Sequence, residues 1–328
     1  MLKIAMAGKW HVHAEGYAND FNREPDAQVV CVWDDDEACG REWAGRLQVP
    51  FYASYAEMLK DSGCDAVCIC SPTNMHRQIM IQAARAKKHI FTEKVMCLNV
   101  KDCDEAIREI NENGVVFTIS FPHRCFPQNL FIKHAIESGL IGKVTLFRVR
   151  NCHNGALAGW LPDYWYDPET TGGGAMMDLG AHPMYLSSWL LGEPASVQSC
   201  FRNLTGRQVE DDAVSVIRFK SDAVAVAETS LVAPYTPQTC EVYGTKGAIL
   251  AQDGKVRVKT DSLQASEDGG WITPALPKAL PTPIRQFIDS ALYGKPVLFG
   301  TKEARALTVL MENAYAAHKQ KREVEIKD

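Results

Sequence analysis

Hydrophobic residues in the first third of the chain form short continuous runs, separated by amphipathic stretches. Two such stretches, Met75 to Ala86 and Val100 to Asn113, carry apolar residues at helical spacing. Strands that are apolar throughout and alternate with helices are typical of a parallel sheet covered on both faces. The runs predict strands at Lys3 to Ala7, Val29 to Trp33, Ala66 to Cys70, His89 to Thr92 and Val115 to Ser120.

The pattern changes after Phe121-Pro122. Helices are predicted at Gln128 to Ser138 and around His182 to Leu191, with a long aromatic-rich loop ahead of the second. Strands then follow one another with short turns, which indicates an antiparallel or mixed sheet. These strands are predicted at Lys143 to Arg150, Val197 to Asn203, Ala213 to Phe219, Val224 to Leu231, Thr239 to Tyr243, Ala248 to Ala251 and Val256 to Lys259.

Together these patterns predict an α/β protein of two domains. Residues 1–121 should form a doubly wound parallel sheet of the Rossmann type, and residues 122–328 an α/β domain with an open, mostly antiparallel sheet. The segment 267–283, rich in Gly and Pro, is expected to be irregular. A final helix over 302–318 is expected to pack back near the domain interface. A free sheet face suggests a homodimer or homotetramer.

Composition and charge narrow the class of protein. The 328 residues are 46% hydrophobic and carry a net charge of -5, which argues against a nucleic-acid partner. No apolar run reaches the length of a membrane span, and no secretory signal is expected. The 11 cysteines are odd in number and form no CxxC pair. We therefore expect reduced thiols in a cytoplasmic protein without membrane contact.

The turn after the first predicted strand is a candidate nucleotide site. It reads Gly8-Lys9-Trp10-His11-Val12-His13, so only its first position matches a Gly-x-Gly-x-x-Gly turn. Its position between a strand and a helix still suits phosphate binding by backbone N–H groups. His11 and His13 form a His-x-His pair, but spacing reveals no third ligand, and we expect no metal.

Asp34 ends the second predicted strand. A carboxylate there suits the ribose 2′-hydroxyl and repels a 2′-phosphate, so it favours NAD over NADP. The alternative for Asp34 to Asp36 is a solvated loop or a helix cap. Further expected cofactor contacts follow the third and fourth strands: Ser71, Pro72, Thr73, His76, Glu93 and Lys94. Lys94 could instead be a surface residue paired with Glu93.

Three glycines, Gly172 to Gly174, precede Asp178 and His182. If this segment is nearly helical, the carboxylate and the imidazole share one face. A histidine exchanges protons near neutral pH, and glycines allow close approach of a ligand to the backbone. The alternative is a structural histidine with satisfied hydrogen bonds. Nearby aromatic and polar residues suit a sugar ring. Substrate contacts are therefore predicted at His153, Asn154 and Trp160, and Arg124 is predicted to contact the substrate or the cofactor. The aromatic residues could equally pack the loop or contact another subunit.

With these residues in view, the chain resembles the Gfo/Idh/MocA family of oxidoreductases over essentially its whole length. The matching positions are Gly8, Asp34, Pro72-Thr73, His76, Glu93-Lys94, the Arg124 segment, Gly139 to Lys143, Gly172 to Gly174, Asp178 and His182. The resemblance implies a nicotinamide cofactor, a sugar or polyol substrate, and catalysis by Lys94, Asp178 and His182. Val95 replaces the family's proline, and Trp10 and His13 replace two glycines of the turn.

The resemblance implies a reaction and leaves alternatives open. His182 would take the hydroxyl proton, Lys94 would lower the pKa of that hydroxyl, and Asp178 would orient the substrate or the imidazole. The chain would be an NAD-dependent dehydrogenase of a sugar, glycoside or inositol-like polyol. One alternative is an NAD-using glycoside-cleaving enzyme that acts through a 3-keto intermediate. Another is a non-catalytic sugar-binding regulator.

Overall fold

A computed structural model describes residues 1–262 and 270–327. Within them the chain forms two compact units: residues 1–121 with 281–308, and residues 122–262 and 270–280 with 309–327. The helix Thr301–Gln320 contributes to both. None of the helices in the described ranges is long and apolar enough to span a membrane.

The first unit is built on a six-stranded sheet in which every pairing is parallel, in the order β3-β2-β1-β4-β5-β6. Its strands are β1 Leu2–Ala7, β2 Ala27–Trp33, β3 Phe51–Tyr52, β4 Ala66–Ile69, β5 His89–Thr92 and β6 Phe117–Ile119. Its helices are Ala14–Arg23, Glu37–Leu47, Tyr55–Asp61, His76–Arg85, Val100–Asn113 and Pro283–Tyr293. The predicted parallel sheet is confirmed, with β3 as an added edge strand and β6 shorter than predicted.

The second unit contains an eight-stranded mixed sheet in the order β13-β12-β11-β7-β10-β9-β8-β14, in which only β7 and β10 pair in parallel. Its strands are β7 Val144–Cys152, β8 Pro194–Arg202, β9 Asp212–Phe219, β10 Val224–Ser230, β11 Thr239–Gly244, β12 Gly247–Gln252, β13 Lys255–Thr260 and β14 Val324–Glu325. Its helices and short helical turns are Pro127–Glu137, Gly155–Ala158, Pro168–Thr171, Ala175–Asp178 and Ala181–Leu191. The predicted mostly antiparallel sheet is confirmed.

The helix Pro283–Tyr293 lies in the first unit, whereas the sequence division assigned all of 122–328 to the second domain. Ile284, Phe287 and Ile288 are buried in the core of the parallel sheet. The Phe287 ring packs 5.7 Å from the Phe91 ring. Burial of these apolar side chains explains why the helix belongs to the first unit, because a helix packs against the sheet that its apolar face complements. Of the segment predicted to be irregular, residues 267–269 lie outside the described ranges, and residues 270–282 contain no helix or strand.

The turn after β1 requires glycine at its first position. Gly8 has φ of +85°, and a Cβ there would lie 2.6 Å from the Cα of Ser71. The ends of β1 and β4 therefore approach so closely that any residue other than glycine at position 8 would clash. This close approach brings the loop after β4 against the candidate nucleotide turn.

Gly8→Ala should lower the free energy of unfolding by about 3 kcal/mol, because it adds a backbone clash to an unfavourable φ. Gly63→Ala is the matched control, since Gly63 also has a positive φ, +67°, but has open space at its Cβ position. The control should lose only about 1 kcal/mol. Urea denaturation of both variants measures the difference, and equal losses would contradict the close approach.

Candidate functional site

The turn between β1 and the helix Ala14–Arg23 forms hydrogen bonds with the residues that follow the neighbouring strands β4 and β2. The amide of His11 donates to the carbonyl of Cys70 at 2.9 Å, at the end of β4. The amide of Lys9 donates to Oδ2 of Asp34 at 2.7 Å, at the end of β2. Within the described part of the chain, the Val12 amide has no backbone partner. The structure thus brings Gly8, Trp10, His11, Val12 and Asp34 together, and Val12 offers a backbone donor for a phosphate.

The Asp34 carboxyl is buried and receives two backbone donors. The second is the Asp36 amide, which lies 2.9 Å from Oδ1. Burial raises the pKa of Asp34 to about 6, against the lowering effect of the two backbone hydrogen bonds. The group is therefore mainly ionised at neutral pH but titrates close to it. Asp36 is the residue that caps the next helix, through a bond from the Cys39 amide.

Discrimination between NADH and NADPH should weaken as the pH falls through the pKa of Asp34. The ionised carboxylate repels a 2′-phosphate, and protonation removes that repulsion. We expect the ratio of the NADPH to the NADH dissociation constant to fall by up to about tenfold from about pH 8 to about pH 5. Tryptophan quenching would measure both constants.

Asp34→Asn is the control for this pH series. A phosphate monoester also titrates near pH 6, so the variant isolates that contribution. The wild-type ratio should change more steeply with pH than the ratio of the variant. The same slope in both proteins would contradict a role for Asp34 in selecting the cofactor.

Glu93 follows β5 and is fully buried beside the nucleotide turn. Its Oε1 lies 2.7 Å from Nδ1 of His13 and also accepts the Tyr17 hydroxyl. Its Oε2 accepts the backbone amide of Lys94 at 2.9 Å. Burial alone would raise the pKa of Glu93, but His11, His13 and Lys94 hold it well below its usual range. A buried carboxylate is thus kept ionised at this edge of the sheet.

The residues after β4 support the turn from the other side. The Ser71 hydroxyl donates to the carbonyl of Ala7 at 2.9 Å. His76 is buried between the carbonyls of Ser71 and Val95, 3.1 and 3.0 Å from its two ring nitrogens. Burial lowers the pKa of His76. The contacts described for Ser71 and His76 connect neighbouring loops. We therefore expect both residues to hold these loops in place for cofactor binding. Pro72 and Thr73 lie between them and are also buried.

Lys94 follows Glu93 at the carboxyl end of β5. Only 5% of the residue is exposed, so the alternative of an ordinary surface lysine does not apply. The peptide bond between Lys94 and Val95 is cis. The carboxyl end of a strand in an open parallel sheet is where ligands bind in such folds.

In the second unit, two of the three glycines, Gly173 and Gly174, lie against protein atoms at the positions where a ligand was expected to approach. A Cβ at Gly173 would lie 1.9 Å from the Tyr315 hydroxyl, and one at Gly174 would lie 1.9 Å from the Glu210 carbonyl oxygen. The Tyr315 hydroxyl in turn donates to the Glu210 carboxylate at 2.6 Å. Gly173 and Gly174 are therefore required for packing, which fixes the segment that carries Asp178.

Asp178 and His182 lie on a nearly continuous helical segment, which is the condition under which the carboxylate and the imidazole share one face. Ala175–Asp178 and Ala181–Leu191 are joined through Leu179 and Gly180, which keep right-handed helical dihedral angles. The indole Nε1 of Trp165 donates to Oδ2 of Asp178 at 3.3 Å. Trp165 is buried in the aromatic loop. The loop thus orients the carboxylate of the predicted pair.

The imidazole of His182 is held by two neighbours that the sequence analysis did not identify. Its Nδ1 lies 2.9 Å from the Tyr185 hydroxyl, which also accepts the amide of His123 at 3.1 Å. The His123 ring stacks on the His182 ring, with centroids 4.2 Å apart and planes at 15°. If Nδ1 carries the proton and donates to Tyr185, Nε2 is the basic nitrogen of the neutral imidazole.

The predicted substrate residues are only partly brought together. The rings of His153 and Trp160 lie 4.7 Å apart, on either side of Asn154 in sequence, and Trp160 is 54% exposed. Nδ1 of His153 accepts the Gly155 amide at 3.0 Å. Arg124 instead stacks over the Trp189 ring at 5.0 Å. The first group forms an exposed aromatic surface, whereas Arg124 packs against a helix of its own unit.

Comparisons with known proteins agree with this description. Residues 2–121 match the family model described as "Oxidoreductase family, NAD-binding Rossmann fold". Residues 130–250 match the model described as "GFO/IDH/MocA C-terminal domain".

Among relatives, the uncharacterized oxidoreductase YrbE of Bacillus subtilis is 30% identical over 266 residues, which cover 76% of this chain and 71% of that protein. The myo-inositol 2-dehydrogenase of Thermotoga maritima is 28% identical, with 95% of each chain covered. The structure of GenD2 from gentamicin A biosynthesis in complex with NAD gives a TM-score of 0.84 at 26% identity, with 100% of this chain and 97% of that chain covered.

Proposed function

Because the chain belongs to the GFO/IDH/MocA family of oxidoreductases, we propose that it is an NAD-dependent dehydrogenase of a sugar, glycoside or inositol-like polyol. NAD is the cofactor of its first unit, the NAD-binding domain. When bound, NAD would supply the acceptor or donor of the hydride exchanged with the carbinol carbon of the substrate. The myo-inositol 2-dehydrogenase among the relatives supports a polyol as the substrate class.

The observation that carries this proposal is the hydrogen bond between Nδ1 of His182 and Tyr185. It fixes the position of the ring, and the imidazole would accept the hydroxyl proton as a hydride leaves the same carbon. In the reverse direction the imidazolium returns that proton. Asp178, oriented by Trp165, would hold the substrate or the imidazole.

Lys94 is proposed as the second catalytic residue. Its ammonium group would donate to the substrate hydroxyl and stabilise the developing alkoxide. Because it is buried, its charge would be screened less by water than that of an exposed lysine. The exposed surface of His153, Asn154 and Trp160 would contact the sugar, with the Trp160 ring against its C–H face.

The test is a substrate screen that follows NADH formation at neutral pH. A panel of inositols, aldoses, anhydrosugars and aryl glycosides should contain at least one substrate. Release of a chromogenic aglycone without net NADH would identify the glycoside-cleaving alternative. Tight NADH binding without turnover of any member of the panel would overturn the proposal in favour of a sugar-binding regulator.

We also propose that the chain is a cytoplasmic homo-oligomer. On β9, Val214 and Val216 are 38% and 40% exposed, whereas Ala213 and Ile217 on the other face are buried. The helix Ala181–Leu191 packs on the neighbouring strands β7 and β10. The sheet face that carries these exposed valines is where a second copy would pair. A monomeric mass in solution would contradict this assignment.

A further inference from the structure

His11, His13 and Glu93 form a compact cluster of potential metal ligands at the carboxyl edge of the parallel sheet. One potential ligand atom from each residue lies within 4.8 Å of the other two. Nδ1 of His13 is 2.7 Å from Oε1 of Glu93, and Nδ1 of His11 is 3.6 Å from the same oxygen. The sequence offered only the His-x-His pair. The third ligand is 80 residues away along the chain and is brought close because β4 lies between β1 and β5.

We propose that these three side chains bind one divalent transition-metal ion, with Zn²⁺ as the reference case. Two imidazoles and one carboxylate are the protein ligands of many catalytic zinc sites and of the facial triad that binds Fe²⁺. Bonds of about 2.1 Å in tetrahedral geometry place ligand atoms about 3.4 Å apart. The observed cluster needs movements of only about an ångström to reach that arrangement.

The surroundings of Glu93 orient the proposed ligand. One carboxylate oxygen accepts the Lys94 amide, while the other, which faces the histidines, accepts the Tyr17 hydroxyl. The Tyr17 hydroxyl is itself 2.8 Å from the Ser120 hydroxyl. Hydrogen bonds of this kind around a ligand fix its direction and strengthen metal binding.

The histidines differ in accessibility in a way that suits an open metal site. The side chains of His11 and Glu93 are only 6% and 2% exposed, but that of His13 is 49% exposed. Nδ1 of His11 accepts the His13 amide at 3.2 Å, a long bond that a metal ion could replace. Three protein ligands with one accessible side leave a position for water, as in catalytic rather than structural zinc sites.

This inference does not depend on turnover, and its test uses the full chain without NAD. Co²⁺ is titrated into chelator-treated protein, and its visible absorption bands report coordination. We expect one equivalent to bind, with bands of the intensity of a four- or five-coordinate ion, and Zn²⁺ to displace it.

Three variants decide the location of the site. His13→Ala should weaken Co²⁺ binding by at least about tenfold, since even the loss of a supporting hydrogen bond costs that much. His13→Cys should keep binding and add a thiolate-to-cobalt charge-transfer band. His134→Ala is the control, an exposed histidine of the second unit, and should bind as the wild type does.

Two results would overturn the assignment. One is the absence of cobalt bands in the wild-type protein. The other is equal affinity of His13→Ala and wild type, which would place the ion elsewhere, for instance on thiols. Failure of either kind leaves NADH binding and the substrate screen unaffected, so it is separable from failure of the proposed dehydrogenase function.

Discussion

His182→Ala should lower kcat by about 10²–10⁴-fold, the usual contribution of a positioned general acid or base. The substitution removes the group proposed to exchange the hydroxyl proton, while NADH binding in the other unit should be unchanged. Steady-state kinetics with the substrate found in the screen would measure the loss. His134→Ala, on the surface of the same unit, should retain wild-type kinetics.

Tyr185→Phe separates catalysis by His182 from a merely structural role. The variant keeps the ring but removes the hydroxyl that lies 2.9 Å from Nδ1 of His182. We expect kcat to fall by about tenfold and the pH dependence of kcat to shift, because the ring loses the partner that fixes its tautomer. An unchanged pH profile in Tyr185→Phe, together with normal activity in His182→Ala, would remove His182 from the mechanism.

Lys94→Met should lower kcat/KM by about 10²–10³-fold, comparable to removing one donor of an oxyanion site. Methionine fills a similar volume in the buried position but cannot donate a hydrogen bond or carry charge. Lys94→Arg should recover part of the loss, because it restores the charge with altered geometry. The measurement is kcat/KM together with the NADH dissociation constant.

The matched control for this series is Lys88→Met. The Lys88 ammonium donates to the carbonyl of Cys64 at 2.7 Å, so this lysine lies in the same unit but serves the fold. The Lys88→Met variant should have a lower free energy of unfolding but the kcat/KM of the wild type. Equal kinetics of Lys94→Met and the wild type would exclude Lys94 as a catalytic residue.

Much of the fold could be predicted because the relevant signals are local. The buried strands β1, β2, β4 and β5 are continuous apolar runs, and parallel sheets require such runs. The strand β3 has only two residues and presents no recognisable pattern. The assignment of Pro283–Tyr293 to the first unit depends on contacts with residues near the start of the chain, which a local pattern does not encode.

In the candidate site, too, the features that depend on local sequence could be predicted, and those that depend on distant contacts could not. Asp178 and His182 could be paired from their spacing, because the backbone between them remains helical. Tyr185, three residues beyond His182, could have been found by the same spacing rule. The contacts of Glu93 with His13 and of Asp178 with Trp165 could not, since they depend on strand order and on the path of a loop. The packing role of Gly173 and Gly174 is visible only once Tyr315 and Glu210 are in place.

The first unit is built from two separate parts of the chain, residues 1–121 and 281–308, which affects how it folds during synthesis. On the ribosome, the parallel sheet is synthesised first, but the helix that covers Phe91 emerges only after the strands β7 to β13. Part of the apolar surface of the nascent sheet therefore stays uncovered while most of the second unit is translated. A fragment that stops at residue 121 would present that surface permanently. Chaperone dependence and aggregation of truncated chains should consequently be concentrated in the N-terminal third of the protein.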